Sequence, residues 1–347
     1  MPKPIFKMNK PRNIRYKYLA GVILLSSLSL LSCKKSAPSK PITKTSIDIY
    51  AVGYTVLPGN SFTATYWKNG VAVTLATGSE ATMATGIVVQ GDDVYIAGNI
   101  SDNATYWKNG VPVTLPNSTG GSPVVTGIAV SGTDVYVSGK IFFNTFSEAV
   151  YWKNSVLVPL TDVTKQMAVA EAIVTQGSDV YVGGSASKDL QTFTVSTACY
   201  WKNGTQVNVG GSLNSNIWAI AISATDVFTA GYFYDTNGNS LAAYWKNAAI
   251  TTLGSNNTAS AILAQGTNIY VAGNNSNGIY YQENGTQLAV TNNNSTSAVY
   301  GIASQGNDIY LAGKSNNVAT YWKNGAPIVI DNDALGSVLN AIAVIEH

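Results

Sequence analysis

"ATYWKNG" occupies residues 64–70, returns letter for letter at 104–110 and 319–325, and has near-copies in between. Aligned on its aromatic pair, Trp67, Trp107, Trp152, Trp201, Trp245, Tyr281 and Trp322 fall in register at spacings of 40, 45, 49, 44, 36 and 41 residues. A second phrase shares the period: "IDIYAVG" at 47, "DDVYIAG" at 92, "TDVYVSG" at 133, "SDVYVGG" at 178, "TDVFTAG" at 225, "TNIYVAG" at 267 and "NDIYLAG" at 307. A third precedes the second, from "GIVVQG" at 86 to "AIAVIE" at 341. Self-similarity at such a period is the mark of a repeat architecture.

Each unit holds four short β-prone pieces. Strand A is the "GIVVQ" type, B is "DVYIAG", C is "ATYWK" and D is "VPVTL". Asn-Gly between C and D predicts a two-residue hairpin, because a type I′ turn needs positive φ at both central positions. Asn154-Ser155 and Asn247-Ala248 weaken that signal in two copies, although Asn still tolerates the region. Four antiparallel strands per unit predict a β-propeller blade. The phase of the repeat is informative. The body opens with B, C and D at Ile47 and closes with a lone A at Ala341. The last strand supplies what the first unit lacks, which predicts an all-β, seven-bladed ring of four-stranded antiparallel blades, closed by the C-terminal strand in the N-terminal blade. An open solenoid needs no such phase and calls for polar caps.

The repeat loosely resembles the bacterial extracellular HAF-type repeat, in which a Trp-x-Asn-Gly turn is followed by Leu, an Ile strand and a Val-Gly strand. Trp107, Asn109, Gly110 and Leu115, then Ile128 and Gly139, fit that order. The resemblance covers the body and implies no activity. WD40 and kelch repeats share the architecture without their signature residues recurring here.

Residues 1–32 read as a lipoprotein signal peptide. Lys3, Lys7, Lys10, Arg12, Arg15 and Lys17 make a basic start, and Leu19–Leu31 is an apolar run too short to span a bilayer comfortably. It ends at Cys33, which resembles the lipidated cysteine of a lipobox, with Leu31 a less usual residue there. Residues 33–45 read as a flexible Pro-, Ser- and Lys-rich tether, and 46–347 as the propeller. The partners implied are a bilayer, reached through an N-terminal acyl anchor, and a glycan or protein ligand. The localisation implied is the bacterial cell envelope, on the periplasmic side or the cell surface. The formal charge of +2 conceals an acidic body: from residue 46 on there are 10 basic and 18 acidic residues. That balance argues against nucleic acid. With Cys33 committed to lipid, Cys199 stands alone and no intramolecular disulfide is available. The ring is expected to be monomeric.

Adjacent residues on a strand face opposite sides of its sheet. Tyr106 and Trp107 are therefore expected to fill the gaps on either side of their blade, so the pair reads as core and not as a sugar platform. The recurring Ile87, Ile128, Ile173, Ile220, Ile262, Ile302 and Ile342 read as inner core. Asp48, Asp93, Asp134, Asp179, Asp226 and Asp308 follow the A–B turn and are expected to cap its N–H groups. The six hairpin lysines are expected to be simply solvated.

If the repeats build the frame, function belongs where copies differ. The residue just before each A strand is Thr85, Thr126, Glu171, Trp218, Ser260, Tyr300 and Asn340. These seven are the candidate ligand-binding ring at the channel mouth, weighed against an unremarkable variable loop end. The B–C loops "KIFFNTFSEA" (140–149) and "YFYDTNGNS" (232–240) offer Phe142, Phe143, Tyr232 and Tyr234 as a candidate partner surface, or as strand extensions packing on each other. "DTNGN" at 235–239 only faintly echoes a calcium loop. The sole histidine is the last residue, His347, which excludes His triads and His metal sites. No cofactor, metal site or catalytic residue is assigned. The expected function is non-enzymatic binding or scaffolding, and the alternative is a carbohydrate-active hydrolase or lyase using rim carboxylates.

Overall fold

The computed structural model describes residues 45–347 except 60, 76–80, 119, 163, 165, 189–194, 212–213, 256 and 332–334. The signal-peptide, Cys33 and tether readings lie outside the described residues. Seven four-stranded antiparallel sheets make up the described chain, arranged as the blades of a β-propeller. Blade two is representative, with A at Thr82–Gln90, B at Asp93–Ile100, C at Asn103–Lys108 and D at Val111–Thr114. Blade one is the composite that the repeat phase predicts. Ser337–Glu346 pairs with Ile47–Leu57, which pairs with Ser61–Lys68, which in turn pairs with Val71–Thr74. Ile47 lies opposite Glu346 and Thr55 opposite Ser337, so the terminal strand closes the ring. The hairpin turns follow from sequence: Asn69 and Gly70 sit at φ 51° and 81°, and Asn109 and Gly110 at 52° and 81°.

Apolar clusters lie between blades. One joins Tyr50, Val52 and Ala64 of blade one to Ile87, Ile96 and Trp107 of blade two. The next takes Tyr106 on the other side of blade two, against Val125 and Ile128 of blade three. The aromatic pair thus splits across its own blade as the alternation requires. Trp67, Trp107, Trp152, Trp201, Trp245 and Trp322 are all at most 1% exposed. Fully burying a large apolar side chain contributes about 1.5–3 kcal/mol in gross terms, so this ring of indoles is a main source of cohesion.

Blade six corrects the sequence alignment. Val271 pairs with Gln282, as Ile96 pairs with Trp107, whereas Tyr281 pairs with Ala272, as Tyr106 pairs with Ala97. Gln282, not Tyr281, therefore holds the tryptophan position. The adjacent Tyr280 is buried and donates to the Thr258 carbonyl at 2.8 Å.

The short-turn rim corrects two further expectations. The hairpin lysines are not merely solvated: each pairs with the aspartate of its own blade at 2.6–2.8 Å. Nor do the aspartates cap turn N–H groups. Each accepts from the hairpin asparagine Nδ2 at 2.7–3.0 Å, and the asparagine Oδ1 accepts the backbone N–H following the aspartate. The reason is register: Tyr95 opposes Lys108, which brings the start of B beside the end of C. The same rim links neighbouring blades. Gln90 donates to Gly132 O, Ser131 to Gly177 O, Gln176 to Ala224 O, Ser223 to Gly266 O and Gln265 to Gly306 O, at 2.7–2.9 Å.

Candidate functional site

The seven non-repeating residues owe their placement to a β-bulge. Pairing of the inner strand slips between Ala84 and Gly86, Val125 and Gly127, Ala170 and Ala172, Ile217 and Ala219, and Val299 and Gly301. The skipped residues are Thr85, Thr126, Glu171, Trp218 and Tyr300. In the composite blade, Val52 pairs with Ala341 and Gly53 with Leu339, which skips Asn340. The sequence places these residues just before strand A, but the strand begins earlier and carries them inside it. A bulged residue leaves the ladder and its side chain is re-aimed, here toward the axis of the ring. Ser260 is the exception, preceding its strand Ala261–Gln265 and donating its N–H to Ala272 O at 2.9 Å.

The bulge explains the recurring glycine of strand B. A Cβ on Gly98 would stand 1.9 Å from Met83 O, and the same distance separates Gly53 from Val338 O and Gly184 from Val169 O. The bulged strand drops a carbonyl onto strand B, and only glycine leaves room for it.

All seven side chains line one axial cavity of about 250 Å³, backed by the isoleucine row. They are not equivalent. Thr85 Oγ1 donates to Ala97 O at 3.2 Å, Thr126 Oγ1 shares a hydrogen bond with Ser138 Oγ at 3.0 Å, and Asn340 Nδ2 donates to Ala84 O at 2.8 Å. Ser260 Oγ is bonded to Thr258 Oγ1 at 3.2 Å and accepts from Asn274 Nδ2 at 3.3 Å. These four are tied into the frame. Glu171 is instead held across the blade boundary by Lys140, whose Nζ donates to both carboxylate oxygens at 2.7 and 2.9 Å. Trp218 packs against Tyr232 with ring centroids 5.1 Å apart, and Tyr300 is 40% exposed. Burial raises the phenol pKa of Tyr300, with Tyr54 adding to it, and that of Tyr232, with Tyr234 and Glu171 adding to it.

Lys140 and Tyr54 belong to a second tier that the sequence reading missed. It is the residue after the recurring glycine of strand B: Tyr54, Asn99, Lys140, Ser185, Tyr232, Asn274 and Lys314. The rule that singled out the first tier also finds this one, since neither position repeats. Two members are clamps onto the next blade. Asn99 donates to Pro123 O at 2.8 Å and accepts from Val125 N at 2.9 Å, and Asn274 does the same at Val299, at 3.2 and 2.7 Å.

The loop aromatics divide. Phe143 stacks on Phe146 at 4.3 Å and packs against the core between blades two and three. Phe142 is 43% exposed beneath Lys140 Nζ, at 5.8 Å. Tyr232 packs behind Trp218 of the cavity wall, and Tyr234 meets it edge-on at 5.7 Å. In "DTNGN", the Asp235 carboxylate accepts from Asn237 N, Asn239 N and Asn239 Nδ2 at 2.8–2.9 Å, so its own turn occupies it. Among the described residues no three His, Cys, Asp or Glu side chains gather as a metal site. Cys199 is fully buried, and burial pushes its thiol pKa up.

No family model matches the chain, and no curated protein does. Solved structures do. The acylaminoacyl peptidase of Pyrococcus horikoshii aligns at TM-score 0.50 and 8% identity, over 82% of this chain and 51% of that one. TolB from Acinetobacter baumannii aligns at 0.43 and 10%, over 85% and 66%. AztD from Citrobacter koseri aligns at 0.41 and 13%, over 87% and 98%. The chain spans about half of the peptidase and just under two thirds of TolB. The likeness is one of fold.

Proposed function

We propose that this protein is a non-enzymatic binding module of the cell envelope, held to a membrane as a lipoprotein through Cys33. Its ligand, a glycan or a protein, would sit at the channel mouth on the variable-loop rim. One observation carries this reading. In a frame built from near-identical units, the seven positions that do not repeat converge on one cavity. There they present two aromatic rings and one carboxylate, paired with Lys140, among small polar groups, as small-molecule sites do. Ser46 exchanges backbone hydrogen bonds with His347 at the short-turn rim.

The enzyme reading is less well supported. Glycoside hydrolysis calls for two carboxyl groups about the scissile bond. Glu171 is the one carboxylate among the described residues lining the cavity, and Lys140 occupies it. Glu148, whose pKa burial raises, does not line the cavity.

The purified protein is screened against a glycan array and an envelope extract, alongside the double variant Glu171→Ala, Trp218→Ala. The expected result is loss of each detected interaction in the variant. Interactions that all survive it sink the channel-mouth reading, and saccharide turnover that survives it supports the enzyme. Cys33→Ala is expected to abolish labelling by radioactive palmitate and to release the protein from membranes.

A further inference from the structure

Two lines of side chains, one from blade five and one from blade six, begin at residues that line the cavity, Trp218 and Ser260. One is aromatic. Trp218 packs on Tyr232 at 5.1 Å with the rings tilted 53°, and Tyr232 meets Tyr234 at 5.7 Å and 85°. Tyr232 and Tyr234 are alternate residues of one strand, Asp226–Tyr234, and so share a face. The other line is polar. Ser260 Oγ lies 3.2 Å from Thr258 Oγ1, and Asn274 Nδ2 donates to both hydroxyls at 3.3 Å. At the outer end both lines reach a second cavity of about 830 Å³, lined by Tyr234 and Thr258 together with Asn239, Ser240 and Asn257. Trp218 and Ser260 line the inner cavity, and Tyr234 and Thr258 line the outer one.

We infer that the two cavities are the ends of one elongated site for a neutral, linear oligosaccharide. An inner sugar stacks on Trp218, and outer sugars follow Tyr232 and Tyr234. This rests on the channel-mouth reading above and adds the ligand class and the path.

The chemistry favours that class because the charges along the path are already matched. Glu171 is ion-paired with Lys140, and the Asp235 carboxylate is engaged by its own turn. An anion would compete with Glu171 for Lys140, and a cation would compete with Lys140 for Glu171. An uncharged polyol can donate to the carboxylate and accept from the ammonium while leaving the pair intact. The C–H face of a sugar ring packs on an aromatic face, and its hydroxyls find the Ser260–Thr258–Asn274 line.

Trp218 also supplies the readout. The other six tryptophans are at most 1% exposed, so a ligand on this path alters Trp218 emission selectively. The full protein is titrated with cello-, manno- and xylo-oligosaccharides of one to six units, followed by tryptophan fluorescence and calorimetry. Polygalacturonate and a lysine-rich peptide serve as charged probes. In at least one neutral series, affinity is expected to rise roughly tenfold from the disaccharide to the hexasaccharide. Tyr234→Ala is expected to weaken the hexasaccharide roughly three- to tenfold, and more than it weakens the disaccharide. Near-UV circular dichroism from the six buried indoles checks that the variant is folded. Affinity independent of chain length, or a folded Tyr234→Ala that binds the hexasaccharide as wild type does, overturns the elongated path. Shifts of Trp218 emission with the charged probes alone overturn the ligand class and leave the channel-mouth reading standing. If no probe of any class moves Trp218 emission, the channel-mouth reading falls as well.

Discussion

Removal of the closing strand tests the ring most directly. Truncation after Gly336 deletes Ser337–Glu346, the inner strand of blade one, and leaves Ile47–Leu57 with an open edge. The deleted strand brings Val338, Leu339, Ile342 and Val344 into the core, each at most 7% exposed. At about 1.5–3 kcal/mol for each such side chain, the loss is about 6–12 kcal/mol, before any ladder hydrogen bond is counted. Folded domains are stable by only about 5–15 kcal/mol in all. The truncated chain is therefore expected to unfold, or to associate through its open edge, at temperatures where the intact chain is a folded ring. Circular dichroism melts and size-exclusion chromatography read both outcomes. A synthetic peptide of residues 337–347, added in excess, is expected to restore the monomeric ring, since it carries the same strand and stabilises by mass action. Leu339→Ala is the milder test: the side chain is 0% exposed, and its truncation should cost about 2–5 kcal/mol. A truncated chain that melts as a monomer at the wild-type temperature would refute the closure argument, whatever the peptide does.

Three further outcomes follow from particular contacts. Gly98→Ala puts a Cβ 1.9 Å from Met83 O and must displace the bulge, so it should cost about 1–3 kcal/mol or more in denaturant melts. Gly110→Ala, with nothing within 4 Å but φ at +81°, should cost only about 1 kcal/mol, and equal costs would show that the bulge carbonyl is not what requires Gly98. The hairpin lysine and asparagine hold six aspartates below their usual range, Asp48 down to about 2 from 3.8. Depressed carboxylates contribute stability that is fully present above the unfolded pKa and is lost as pH falls through the folded one. The melting temperature should therefore hold from neutrality to about pH 5 and fall between about pH 4 and 2, less steeply in an Asp93→Asn, Asp134→Asn, Asp179→Asn variant. Acrylamide is expected to quench Trp218 ahead of the six buried indoles, so a quenching curve unchanged in Trp218→Phe would contradict the burial pattern.

The hairpins and the closure were legible in the sequence because each rests on a local requirement. Asn-Gly at 69–70 demands positive φ at two neighbouring residues, and little but a tight turn supplies it. The phase of the repeat then leaves blade one one strand short. Other features depend on register, which the local motifs do not specify. The Lys108–Asp93 pair spans a hairpin whose length was known, yet the contact appears only once Tyr95 is set opposite Lys108. In blade six, "YYQENG" allows the aromatic pair two alignments, and anchoring on Asn284-Gly285 selects the one with Gln282 in the tryptophan place. The bulge was the hardest to see. An extra residue restarts the alternation of "TMATGIVVQ" without changing its composition, so Thr85 looks like a loop end. Its trace is in the partner strand, where glycine recurs at the one place a carbonyl would strike a side chain.

That trace bears on why these seven positions differ so widely. A residue skipped by the ladder makes no cross-strand pair, so the backbone ladder does not depend on which side chain stands there. The steric cost of the bulge falls on strand B, where the glycine meets it. The inter-blade hydrogen bonds of the opposite rim, from Gln90–Gly132 to Gln265–Gly306, do not involve the cavity residues. Substituting Thr, Glu, Trp or Tyr at the bulge therefore changes the cavity without disturbing the ladders, the indole ring or the short-turn rim. Glu171 shows the limit of that independence. A carboxylate in so enclosed a place needs a counter-charge, and Lys140, from the second non-repeating tier of the preceding blade, provides it at 2.7 Å. A charged residue at one tier thus constrains the other, whereas Trp218 constrains only its neighbour's shape, which Tyr232 fills.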